Sequence, residues 1–145
     1  MLKYCVYFYE DGNKGFLMAH LIIQYSVNLD REKDMTNVCS VMSKAMQKTE
    51  LFPLAGIRVR AYPVIHSSIA DEHSDNAFVD MVLRMGEGRT EKQKVMAGAD
   101  LMATAEVEFS EQMANPHFAL SLEIIVISKL LSWKKNSIHK RLMPT

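Results

Sequence analysis

At 145 residues the chain has the length of one domain, and 48% hydrophobic with 23% charged residues is the balance of a soluble globular protein. Lys+Arg and Asp+Glu both number 17, so no net field draws the chain to nucleic acid or to an anionic membrane, and any anion recognition must be local. The two cysteines, Cys5 and Cys39, form no disulfide framework; a reduced, buried Cys39 and a cytoplasmic location are expected.

Residues 1–17 do not read as a secretory signal, because the apolar stretch Tyr4 to Tyr9 is short and Glu10-Asp11 follow it. No run approaches the roughly 18 uninterrupted apolar residues that span a bilayer. Lys3 to Glu10 alternates, with Tyr4, Val6 and Phe8 opposite Cys5, Tyr7 and Tyr9. That pattern suits an edge strand or subunit-binding arm, and equally an upstream stretch included by a wrongly chosen start codon.

From His20, Leu21, Ile23 and Tyr25 alternate with Ile22 and Gln24, the two-residue period of a strand. Asn28 to Glu50 carries Met35, Val38, Cys39, Met42, Ala45 and Met46 at three- and four-residue spacing, which predicts an amphipathic helix. Phe52-Pro53-Leu54-Ala55-Gly56 breaks that period, and Ile57, Val59 and Ala61 then alternate with Arg58, Arg60 and Tyr62 in a second strand. A polar connector, Ser67 to Asn76, leads to a third strand at Ala77 to Leu83, closed by Gly86 and Gly88. Thr90-x-x-Gln93 has capping-box spacing. The helix behind it shows a stripe of Val95, Met96, Ala99, Met102, Ala105, Phe109 and Met113 until Asn115-Pro116 ends it, and Leu120 to Ile127 makes a fourth strand.

The predicted fold is therefore α+β, built from two consecutive βαβ units in a four-stranded sheet with both helices on one face. The other face is left bare. Both alternate sets of strand residues are apolar (Ile22, Phe78, Val82 and Ile125 against Leu21, Val79, Leu83 and Ile124), so the bare face is expected to bury against another subunit. The histidines at 20, 66, 73, 117 and 139 show no metal-binding spacing, and no serine or cysteine nucleophile motif is present. A metal site and covalent chemistry are not expected.

Several segments share a further pattern: Met18-x-His20, Phe52-Pro53-Leu54-Ala55-Gly56-Ile57-Arg58, Asp75-x-Ala77-Phe78-Val79, Gly86-x-Gly88-Arg89, Leu120-Ser121-x-Glu123-Ile124 and Asn136-x-Ile138-His139. In register over some 120 residues, they resemble the 5-carboxymethyl-2-hydroxymuconate delta-isomerases of the tautomerase superfamily. The resemblance implies a homotrimer without a cofactor that moves one proton and a double bond in an unsaturated hydroxy di- or tricarboxylate, in bacterial degradation of aromatic acids. It also implies an N-terminal proline as the base. Here position 19 is alanine, behind residues 1–17, so the expected division is an extension at 1–17 and a tautomerase-like domain at 18–145.

Proton abstraction beside a carbonyl needs a base with a pKa near 7. An α-amino group, at about 7.7 to 8.0 in model peptides, is lowered further by burial and by neighbouring guanidinium charge. Ala19 would supply that amine if translation begins at Met18 and the methionine is removed. Arg58, the first polar residue of its strand, and Arg89, just before a helix start, are the candidate anion clamps. Glycines 86 and 88 and the amides of that helix start would add to the site at Arg89. If residues 1–17 are retained, the nitrogen of Ala19 is an amide, and the alternative is a catalytically inactive binding or assembly protein on the same scaffold.

Overall fold

The computed structural model describes residues 18–142; the alternating segment at Lys3 to Glu10 lies outside them. The two-residue periods become β1 (Ala19–Ser26), β2 (Ile57–Val64), β3 (Ala77–Gly86) and β4 (Phe118–Ile127). The longer periods become α1 (Met35–Lys48) and α2 (Glu91–Glu108), followed by the short helices α3 (Ser110–Met113) and α4 (Ser137–Leu142).

The sheet order is β2-β1-β3-β4. Each helix crossover joins a parallel pair, β1 with β2 and β3 with β4, and the two units meet along the antiparallel β1–β3 seam. Because consecutive strand residues point to opposite faces, the register sorts the side chains. Leu21, Ile23, Val79, Met81, Leu83 and Met85 are fully buried on one face, against Val38, Met42 and Met46 of α1 and Leu101 and Ala105 of α2. The other face carries His20, Ile22 and Gln24, flanked by Arg58, Arg60 and Tyr62 on β2 and by Arg84, Val82 and Asp80 on β3.

Two helix expectations need correction. The first helix begins at Met35 rather than Asn28, because Asp34 caps it by accepting from the amides of Thr36 and Asn37, while Val27–Arg31 tightens into a 3₁₀ turn that buries Leu29. The second helix keeps only part of the stripe expected: Met102, Ala105 and Phe109 do face the core, but Ala97 and Leu101 join them in place of Val95 and Met96. Val95, Met96 and Met113 are 68%, 54% and 48% exposed. Small residues explain the choice of face: at Gly98 an added Cβ would meet Ile124 Cδ1 at 3.2 Å, so the helix lies against β4 where its side chains are shortest. Cys39 is half-buried rather than buried, and burial raises its thiol pKa. No helix among the described residues is long and apolar enough to cross a membrane.

Candidate active site

The first residue of β1 and the last of β3 meet at one end of the sheet. Ala19 is fully buried and pairs with Ile57 on one side and Met85 on the other. The Gly86 amide donates to the Met18 carbonyl at 3.2 Å. Beyond Gly86 the chain turns through Gly88, whose φ of +102° is left-handed and favours glycine, and enters α2. Thr90 caps that helix by a reciprocal box: its hydroxyl accepts from the Gln93 amide at 3.2 Å and its own amide donates to Gln93 Oε1 at 2.9 Å.

Arg89 is held tightly in this turn. Its Nε and Nη2 donate to the Leu51 carbonyl at 3.3 and 2.9 Å, its Nη1 donates to the Gly86 carbonyl at 2.8 Å, and the guanidinium lies 4.9 Å from the centre of the Phe52 ring. Burial lowers its pKa from the ordinary arginine value. Three of its five N–H groups are thus committed to carbonyls, and two remain to meet an anion. The helix start contributes less than the sequence suggests, since its own capping box occupies the Gln93 amide.

Arg58 lies across from His20 on the open face of the sheet. Arg58 Nη1 is 3.1 Å from His20 Nε2, and Arg60 Nη1 is 3.3 Å from His20 Nδ1. A neutral imidazole has one lone pair, so at any moment it accepts from one of these two guanidiniums while its N–H opposes the other. Protonating the ring would leave both contacts repulsive. Burial, followed by the charges of Arg58, Arg60, Arg84 and Lys134, accordingly lowers the His20 pKa to about 4. His20 is a neutral wedge among cations, and the face around it has an excess of positive charge that an anion would relieve.

Ala19, Arg58 and Arg89 are therefore gathered at one end of the sheet, linked through the main chain of His20, Ile57 and Gly86. Sequence reasoning gave no role to His20, Arg60 or Arg84. Their signal was the alternation itself, which puts 20, 58, 60 and 84 on one face once β1 is placed between β2 and β3. The tail also belongs to this end: Asn136 Nδ2 donates to the Ala55 carbonyl at 2.9 Å, while Asn136 Oδ1 accepts from the amides of Ile138 and His139 at the start of α4. A surface depression of about 280 Å³ lies elsewhere, lined by Ser26, Asn28, Ser68, His73 and Asn76 at the opposite end of β1. The cationic end is the better candidate for chemistry because it joins fixed charge to a strand terminus, whereas the depression's volume is open to solvent.

The four-stranded sheet of two βαβ units is the tautomerase-like fold. The family model for 5-carboxymethyl-2-hydroxymuconate isomerase matches residues 19–142, and the chain belongs to that family. It is 34% identical over 122 residues to the 5-carboxymethyl-2-hydroxymuconate Delta-isomerase of Escherichia coli, covering 84% of this chain and 97% of that one. Its fold matches the crystal structure of a 5-carboxymethyl-2-hydroxymuconate isomerase from Deinococcus radiodurans R1 with a TM-score of 0.82 at 32% identity, over 89% of this chain and 98% of the other. A further crystal structure of a 5-carboxymethyl-2-hydroxymuconate delta-isomerase gives 0.81 at 32% identity, over 88% and 95%. A fused 4-OT symmetric trimer shares the fold alone, at 0.60 and 16% identity, over 80% and 93%.

Proposed function

We propose that this chain is a cofactor-independent isomerase that moves a proton and a double bond in an unsaturated hydroxy di- or tricarboxylate of the 5-carboxymethyl-2-hydroxymuconate type. It serves aromatic-acid degradation in the cytoplasm. The catalytic unit is residues 18–145, assembled as a homotrimer, with 1–17 as an extension. The observation that carries this reading is the convergence of the β1 start with Arg58 and Arg89 in a chain of this family.

In this mechanism the α-amine of Ala19, freed by removal of Met18 and everything before it, takes a proton from carbon and returns it at another carbon of the same conjugated system. Guanidinium charge and burial favour the neutral amine, the form that acts as a base. Arg58 and the two free N–H groups of Arg89 hold substrate carboxylates and offset the negative charge of the enolate, with no reorganisation needed as that charge develops. Removal of Met18 has a second effect. The Gly86 amide loses its acceptor, which places a released N–H donor beside the new amine. A homotrimer is supported by the open sheet face, where Ile125 and Tyr62 are exposed, and by Trp133, which is 87% exposed.

The test is ultraviolet monitoring of dienol ketonisation by protein beginning at Ala19, by the full 145-residue chain, and by an Arg58→Ala variant. Catalysis by the shorter form alone is the expected result. Rates at the level of buffer in both forms would remove the isomerase reading. Equal rates in the two forms would remove Ala19 as the base. Intact mass of protein from its native gene context shows which form the cell makes.

A further inference from the structure

The histidines that carry no sequence signature of a metal site converge in three dimensions. His73, in the connector before β3, and His117, just before β4, stack their rings with centroids 4.1 Å apart and planes at 17°. With Asp75 they offer three ligand atoms, one from each side chain, all within 4.8 Å of one another. We propose that His73, Asp75 and His117 bind a borderline divalent transition-metal cation such as Zn²⁺, which clamps the connector to the start of β4.

The best evidence is the way His117 is held. Its amide donates to Asn115 Oδ1 at 3.0 Å, and its carbonyl accepts from the Ala77 amide at 2.8 Å. Its Nδ1 lies 3.1 Å from Asn76 Oδ1. Asn76 is itself oriented, because its Nδ2 donates to the Ile69 carbonyl at 2.9 Å and to Asp71 Oδ1 at 2.8 Å. The amide oxygen must therefore face His117, which makes Nδ1 the protonated nitrogen and leaves Nε2 with a bare lone pair. A carbonyl oxygen that fixes the tautomer of an imidazole is the outer-shell arrangement that orients histidine ligands.

His73 is less committed. Its Nδ1 accepts from the Asp75 amide at 3.1 Å. Coordination through Nδ1 would displace that amide; coordination through Nε2 would move the ring proton to Nδ1 and break the same contact. Either route costs one hydrogen bond and a small closure of the connector, so micromolar rather than nanomolar affinity is expected. Two imidazoles and one carboxylate suit Zn²⁺, Co²⁺ or Ni²⁺ better than Mg²⁺ or Ca²⁺, which take oxygen ligands.

This site is separate from the proposed chemistry. Ala77 begins β3 beside His117, whereas Ala19 pairs with Met85 near its other end, and at about 3.3 Å per residue the two lie roughly 26 Å apart along the strand. The cation is thus structural, and the proposal stands or falls independently of the isomerase reading.

The experiment is titration of the untagged full chain with ZnCl₂ by calorimetry, paired with Co²⁺ absorption spectra and thermal melts. One Zn²⁺ per chain at micromolar Kd, a saturable rise in Tm reversed by EDTA, and Co²⁺ bands without thiolate charge transfer are expected. His73→Ala and His117→Ala should each weaken binding at least tenfold, and His66→Ala should leave it unchanged. Should a variant fail to fold, imidazole resonances of the wild type identify the ligands, since those of His73 and His117 must shift on Zn²⁺ addition. No saturable binding at 100-fold above micromolar levels would overturn the proposal, as would binding that persists in the folded His73→Ala/His117→Ala double variant.

Discussion

The two faces of the sheet obey different rules. On the covered face every strand contributes apolar side chains, and Leu21, Ile23, Val79, Met81, Leu83 and Met85 are excluded from solvent by α1 and α2. The open face interleaves Ile22, Phe78 and Val82 with His20, Arg58, Arg60 and Arg84, none of them fully buried. A face built for stability alone would not place three guanidiniums around one imidazole, where the cations desolvate and repel one another. The covered face holds the fold together, while the open face stores unrelieved charge at the end where β1 begins.

The sharpest way to break this contrast is to cut the covered face. Leu101→Ala or Leu83→Ala removes a fully buried side chain from a packed interior and should cost about 2 to 5 kcal/mol, read as a fall in the denaturant midpoint. Arg58→Ala, on the open face, should do the reverse. Its stability should stay within about 1 kcal/mol of wild type, while isomerase activity of the form beginning at Ala19 drops on the order of 10²- to 10³-fold. A large loss of stability in Arg58→Ala with unchanged turnover would show that the open face is structural after all.

A pH titration sharpens the same contrast by a smaller amount. The folded-state pKa of His20, about 4, lies below its ordinary 6.5, because burial and the charges of Arg58, Arg60, Arg84 and Lys134 disfavour the cation. Between these values the unfolded chain binds a proton that the native ring refuses, so stability rises with pH through this window. The contribution is fully present above 6.5 and is lost as pH falls toward 4. Urea midpoints for wild type and His20→Gln should therefore differ in their pH dependence between about 4 and 6.5, with the variant showing the shallower slope there and parallel behaviour above 6.5. Parallel slopes within that window would mean that the ring titrates elsewhere.

How much of this was readable from the letters depends on the range of the interaction. The strands and their faces were legible because a two-residue period is local, and Thr90 with Gln93 announced its cap three residues apart. Arg58 and Arg89 stood out through the family's motifs, but their partners did not. That Arg89 would spend three donors on the carbonyls of Leu51 and Gly86 depends on how the turn after β3 meets the segment after α1. The His20 wedge required knowing that β1 sits between β2 and β3, and the pairing of His73 with His117 required closing a loop of more than forty residues. Spacing rules for metal ligands see neighbours along one element and are blind to a site assembled from two.

The smallest expected effect tests the one face that the sequence misjudged. In α2 the expected stripe put Val95 inward, and hydrophobicity at three- and four-residue intervals supports that reading as well as the correct one. What decides the face is size: Ala97, Gly98 and Ala105 let the backbone approach the sheet, with Leu101 and Phe109 filling the space between, so the larger Val95 and Met96 are turned outward. Val95→Lys should then change stability by about 0.5 kcal/mol or less, because its side chain is already 68% exposed. Leu101→Lys, six residues on, would bury an unpaired charge and should prevent folding. If Val95→Lys instead lowers the melting temperature substantially or changes the native mass of the assembly, α2's outer face is itself covered, and the protein would have a contact surface besides the one proposed for the open sheet.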